Sequence, residues 1–294
     1  MRYLVGYTAD RGGRRALRLA GALASDPPAE VVIAQVEPAQ NPFTAVYPGA
    51  DTRGYGEILD ATLHRWGHEA LTELPDSVSG RLITRAADTE AEGILAAAAE
   101  TGADLIVVAP RDSALPGTLG QVARGVLDAS PVPVLLAVDQ VTEPVAPQRV
   151  SAFIGTRPGG AEVARAAALL ARRREIPLRI VSMLEVDRRI GAPAQQIDQA
   201  REQIEQITRE HTDAAVEIAH GRSSNEAFAR VSWRPSDLAV VGARRFDQRT
   251  RLRLGTVAHR IVRQSPVPVL VVPPLTRRRV RSHEPQRCSR TYGP

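Results

Sequence analysis

The chain repeats itself, and the repeat constrains its fold more than any other feature. RAADTEAEGILAAAAETGADLIVVA (85–109) aligns without gaps on IAHGRSSNEAFARVSWRPSDLAVVG (218–242) at an offset of 133 residues. Asp104 falls on Asp237, Leu105 on Leu238, Val107 on Val240 and Val108 on Val241. SPVPVLLAV (130–138) returns as SPVPVLVVP (265–273) at an offset of 135. Both copies open with a short apolar run, a Gly-Gly pair (Gly12-Gly13, Gly159-Gly160) and an Ala/Leu-rich stretch. The 294 residues therefore divide into two copies of one unit, each of ordinary domain size. The second copy is shorter between its second and third strands.

Within each unit short apolar runs alternate with amphipathic stretches, as strands and crossover helices do in a mainly parallel sheet. Copy one predicts strands near 2–7, 31–36, 81–86, 104–109 and 132–138, with helices near 12–25, 55–73, 89–101 and 119–129. Copy two predicts strands near 150–154, 178–184, 215–219, 237–242 and 267–272, with helices near 160–174, 193–211, 223–233 and 255–264. The domains then span 1–140 and 149–274, joined by Thr142-Glu143-Pro144-Val145-Ala146-Pro147. Residues 275–294, rich in Arg and without apolar period, read as a disordered tail. Pro38 to Gly54 is too long and too rich in Pro and Gly for a simple turn.

Charge is divided unevenly along this frame. Residues 1–148 carry 11 Arg against 19 acidic residues, a balance of −8; residues 149–275 carry 21 against 13, or +8. The overall +5 is thus the excess of the tail, six Arg against Glu284. Opposite halves favour mutual packing, within one chain or head to tail between chains. All 38 basic residues are Arg, which excludes P-loop, protein-kinase and Schiff-base chemistry, each of which needs a lysine. Cys288 is the only cysteine, so disulfides and Cys-rich zinc sites are excluded too. No apolar run reaches the length of a membrane span. The apolar start, Tyr3 to Ala9, is too short for a signal segment and meets Asp10. A cytoplasmic location is the expectation.

Three features together resemble the universal stress protein family in its tandem form, over residues 1 to about 274. They are ADLIVVA/SDLAVVG followed by a loop and a Gly-[Thr/Gln]-Val-Ala helix start, the Ser-Pro-Val-Pro-Val-Leu terminal strand, and the duplication itself. The resemblance implies two tandem α/β, Rossmann-like (adenine nucleotide alpha-hydrolase-like) domains. Each would be a five-stranded parallel sheet in the order 3-2-1-4-5 flanked by helices, with the ligand crevice where strand order reverses. In the nucleotide-binding branch, the loop after strand four carries G-x2-G-x9-G-[ST] and wraps ATP. Glycines there admit the backbone to the phosphates, and the next helix start offers free N–H groups.

Copy two matches this motif in spacing. Gly242 supplies the first glycine, Arg245 stands at the second, and Gly255-Thr256 close it, with Val257 beside them. Arg245 either blocks the close approach or replaces a glycine cradle with a cation. Arg244, Arg249, Arg251 and Arg253 share the loop, and Arg is the natural bidentate partner of phosphate. The same cluster also reads as a solvated face, or as a surface docking on the acidic first copy. Copy one departs further: Ala109 and Asp112 replace the glycines, and Gly120-Gln121 arrives one residue early. Gly117-Thr118 offers only a smaller nest, so copy one reads as a degenerate site. The resemblance also places an Asp just after strand one, where it accepts hydrogen bonds from the nucleoside. Here Thr8 holds that place in copy one, with Asp10 two residues on. Gly155 or Thr156, followed by Arg157, holds it in copy two.

Other clusters carry less chemistry. His64 and His68 are four apart on a predicted helix but lack the Glu and third ligand of a zinc site. His220-Gly221 ends a strand at the carboxyl edge and reads as crevice lining or plain loop. Ser223 and Thr89 read as helix caps. No nucleophile elbow or paired acids stand out. The functional expectation is a non-catalytic stress-response module binding ATP with Mg²⁺, or another phosphorylated ligand, in copy two. The alternatives are a nucleotide-free module working by protein contact and, last, an ATP-hydrolysing enzyme. The resemblance suggests pairing through the last strands, Val132–Val138 and Val267–Val272, either with a protein partner or in a homodimer. Specific nucleic-acid binding and membrane binding are not expected.

Overall fold

A computed structural model describes residues 1–39, 53–110, 119–138, 140–141, 144–156, 159–187, 189, 192–245 and 252–274. Copy one runs β1 (Arg2–Gly6), α1 (Arg11–Ala24), β2 (Glu30–Pro38), α2 (Arg53–Thr72), β3 (Gly80–Ala87), α3 (Glu90–Thr101), β4 (Leu105–Val108), α4 (Gln121–Ala129) and β5 (Val134–Leu136). Copy two opens with β6 (Arg149–Phe153), α5 (Gly160–Arg173), β7 (Leu178–Glu185), α6 (Pro193–Thr208) and β8 (Val216–Gly221). It continues through α7 (Ser224–Ala229), β9 (Asp237–Arg245), β10 (Leu252–Leu254), α8 (Thr256–Gln264) and β11 (Val269–Val272). The tail from residue 275 lies outside the described residues.

Local chemistry accounts for several boundaries. The Thr89 hydroxyl accepts from the Glu92 N–H at 3.3 Å, and Glu90 and Glu92 place negative charge in the first turn of α3. Gly102 ends that helix in the left-handed region, at φ 62°, where a side chain would be strained. Ser223 and Glu226 form a reciprocal cap at α7: Ser223 Oγ accepts from the Glu226 N–H and Glu226 Oε2 from the Arg222 N–H. β4, β5 and β11 are buried along their whole length, the pattern of strands covered on both faces.

The strands join in one sheet of order β3-β2-β1-β4-β5-β11-β9-β6-β7-β8. Each copy thus has the order 3-2-1-4-5 with parallel neighbours. The two copies meet where β5 and β11 pair antiparallel, Leu135 opposite Leu270. An apolar edge strand invites association, and here each last strand covers the other. The choice left open by sequence is therefore resolved within the chain. A homodimer through the same strands is corrected, because the backbone groups it would need are already bonded. Arg174, at the C-terminal cap of α5, adds a second tie by donating to the Leu23 carbonyl at the end of α1.

Two apolar layers run through both copies. Leu17, Leu19, Ala164 and Ile204 belong to one, and Ile94, Val126, Ala258 and Ile261 to the other. At the amino edge of copy two, Asp237 is fully buried and takes two 2.7 Å bonds from Arg149, while Arg179 reaches Ser151 and Glu217. Such a fully bonded network fixes strand register. It leaves the carboxyl edge free for other work.

Candidate functional site

A cavity of about 280 Å³ lies at the carboxyl ends of β6, β7 and β9, between the starts of α5 and α8. This is the point in copy two where strand order reverses, the usual place for ligands in open α/β sheets. Its walls are largely apolar, with Phe153, Met183, Leu184 and Val241 prominent, and none of its described lining residues is charged. Thr156, just past β6, and Ser182 of β7 bring hydroxyls, and Thr256 one from α8. Ser182 is 5 % exposed, and no hydrogen bond to its hydroxyl is found among the described residues. The hydroxyl opens into the cavity, where it can meet a ligand or water.

Glycine backbone supplies the remaining polarity. Gly155, Gly159 and Gly255 line the cavity, and a Cβ placed on any of them would touch nothing within 4 Å. Gly159, at φ 104°, caps α5 without a side-chain hydrogen bond, and Gly255 caps α8 in the same bare way. The first backbone bonds of these helices come from Val163 to Gly159 and from His259 to Gly255. The N–H groups ahead of them have no side-chain cap, and two positive helix ends open onto one space.

Copy one treats the same places differently. The Asp10 carboxylate accepts the Gly13 N–H at 2.7 Å and so caps α1. A Cβ on Gly13 would fall 1.9 Å from the Thr8 carbonyl oxygen, whereas one on Gly160 would stand 3.2 Å from the Gly155 oxygen. The turn after the first strand is thus closed in copy one and open in copy two. Tyr7 stands where copy two has Ile154; it is buried, and that burial pushes its phenol above the usual value, so it stays neutral.

The family model for universal stress proteins matches residues 1–137 and 153–273. This chain belongs to the universal stress protein family. A universal stress protein of Mycobacterium tuberculosis H37Rv is 25% identical over 297 residues, covering 93% of this chain and all of the relative. One of Mycobacterium bovis matches to the same extent. The crystal structure of a universal stress protein from Archaeoglobus fulgidus superposes with a TM-score of 0.62 at 16% identity, over 92% of this chain and 98% of the other. A putative universal stress protein from Pseudomonas aeruginosa gives 0.58 at 18%, over 93% of each. The fold is the family's α/β architecture in tandem.

Of the residues singled out in sequence, Gly155, Thr156, Gly242, Gly255, Thr256 and Val257 line this cavity. Arg244 and Arg245 do not begin a loop: β9 runs on through them and pairs with β10, Arg245 opposite Leu252. Their side chains and that of Arg253 lie outside the described residues, as do Arg157, Arg249 and Arg251. Asp112 and Gly117-Thr118 of copy one are outside them as well. His220 is absent from the cavity lining, and its carbonyl accepts from Arg230. His64 faces Asp60 at 3.3 Å, and no group of three metal ligands occurs among the described residues. Nor is any described helix long and apolar enough to cross a membrane. Sequence reading named Gly155 at the place of the strand-one Asp but passed over Ser182 as a site group. A lone hydroxyl between Val181 and Met183 looks like a small core residue, and the open turn shows only beside its closed copy.

Proposed function

We propose that this universal stress protein is a non-catalytic binding module whose second copy holds a phosphorylated small molecule, its phosphate seated at the start of α8. The observation that carries this reading is the bare, glycine-led helix start at Gly255, opening beside Gly242 into a cavity at the sheet's carboxyl edge. Backbone N–H groups at such a start take anions readily. ATP with Mg²⁺ is the ligand suggested by the motif spacing. The lining fits its phosphates better than its nucleoside: Thr156 offers a hydroxyl where a carboxylate would grip the ribose, and the volume is at the small end for ligand pockets. No described lining side chain is a carboxylate, so Mg²⁺ would arrive on the phosphates, with hydroxyls such as that of Thr256 as its protein oxygens.

Isothermal titration of the full chain with ATP and Mg²⁺, and with inorganic phosphate, tests this reading. Heat saturating at one site per chain is the expected result; no heat from any phosphate compound at hundreds of micromolar overturns it. A nucleotide-free module working by protein contact is the second reading, favoured by the missing carboxylate at Thr156. It predicts that ATP leaves the melting temperature unchanged.

A further inference from the structure

We infer that filling the cavity of copy two is felt in copy one, through the hairpin of β9 and β10 that ties the cavity wall to α4. The inference rests on the reading of the cavity as a ligand site given above and adds where its occupation registers. Gly242 and Ala243 near the end of β9, and Gly255 just after β10, all line the cavity. Between these points the chain leaves the main path of the sheet. β9 runs on to Arg245 and β10 returns antiparallel, Leu254 opposite Ala243. The hairpin is thus rooted at both ends in the cavity wall. A ligand that draws in either end moves β10 with it, because the two strands share a ladder.

β10 packs on α4 of copy one as well as on α8 of its own copy. Leu254 joins an apolar layer that runs through both copies, with Val126 and Leu127 of α4 and Ala258 and Ile261 of α8. The two helices are also within reach of each other's charge. Burial first, then Arg263 and Arg124 of α4, hold the His259 imidazole of α8 below its ordinary 6.5. None of the described lining residues comes from copy one, so α4 acts on the site by holding β10 and not by touching a ligand. Close packing carries a small displacement across such a contact. By linkage the effect is mutual: whatever α4 gives to ligand affinity, a bound ligand returns to α4.

Hydrogen exchange on the full chain, with and without saturating ATP and Mg²⁺, reads this coupling. The expected result is exchange slowed at least threefold in residues 252–258 and in α4, with α2 of the same copy unchanged. Gly125→Ala supplies the reverse test from inside copy one. Its Cβ would stand 2.7 Å from that of Ala91 on α3, about 1 Å inside ordinary carbon–carbon contact, so α4 must shift. Titration should then find ATP bound at least threefold more weakly. Gly67→Ala overfills copy one in its other layer, against Leu82, and should leave the affinity unchanged. Slowing confined to the cavity wall, unaltered affinity in Gly125→Ala, or equal weakening in both variants overturns the coupling and leaves the ligand site standing. No slowing anywhere and no heat of binding overturns both. Should Gly125→Ala lose its melting transition, exchange in the natural chain decides.

Discussion

Gly255→Asp separates a phosphate seat from a merely structural helix start, because the two predict effects of opposite sign. Gly255 has φ −64° and ψ 165°, open to any residue, and a Cβ there meets nothing within 4 Å. An aspartate at this position can cap α8 as Asp10 caps α1. Replacing a glycine cap gains a few tenths of a kcal/mol, and the carboxylate at the positive helix end adds ~0.3–1 kcal/mol. The variant should therefore melt about 1–3 °C higher. The same carboxylate takes the N–H groups a phosphate would use and repels it. Losing two charge-assisted hydrogen bonds at ~1.5 kcal/mol each corresponds to roughly 100-fold weaker binding. Scanning fluorimetry and titration with ATP and Mg²⁺ read the two effects on one preparation. Gly120→Asp, at the matching cap of α4, should raise the melting temperature alike and leave binding unchanged. A Gly255→Asp protein that melts higher yet binds ATP as well as the natural chain refutes the placement of the phosphate.

Three further outcomes follow from the scaffold. Asp237→Asn leaves the Arg149 guanidinium without its buried partner and should cost ~3–5 kcal/mol in urea denaturation, whereas Glu217→Gln, at a half-exposed pair, should cost under ~1 kcal/mol. Hydrogen bonds from Arg2 and then Arg81 hold the Glu30 carboxyl below its ordinary 4.5. Its contribution is present above that value and lost as pH falls through the lowered one, so Glu30→Gln should destabilise at pH 7 and become neutral in acid. Leu136→Pro removes a backbone N–H on the β11 side of β5, the Ala137 N–H being bonded to Val108 of β4, and calorimetry should then show two transitions in place of one.

Much of the architecture was legible in the sequence because both signals behind it are local and periodic. The all-apolar LIVV of β4 and VLVV of β11 announced doubly covered strands, and the repeated Ser-Pro-Val-Pro marked the same element twice. What pairs with the last strands was not legible, since an apolar strand carries no mark of its neighbour. The extension of β9 through Arg245 was hidden for a related reason. An arginine-rich stretch reads as loop, and only its pairing with β10 makes it strand. The site was half legible. Gly242 and Gly255-Thr256 sit at a spacing that brings them together, but the open turn at Gly155 rests on a backbone spacing of 3.2 Å where copy one has 1.9 Å. No residue type encodes it.

The antiparallel seam between β5 and β11 has an evolutionary corollary. In an assembly of identical subunits every substitution is made twice, so an opening on one side cannot close while its twin remains. Joining the halves in a single polypeptide lifts that symmetry. One half can carry its own plug, Asp10, and become a permanent brace, while the other drifts towards new chemistry without risk to the shared sheet.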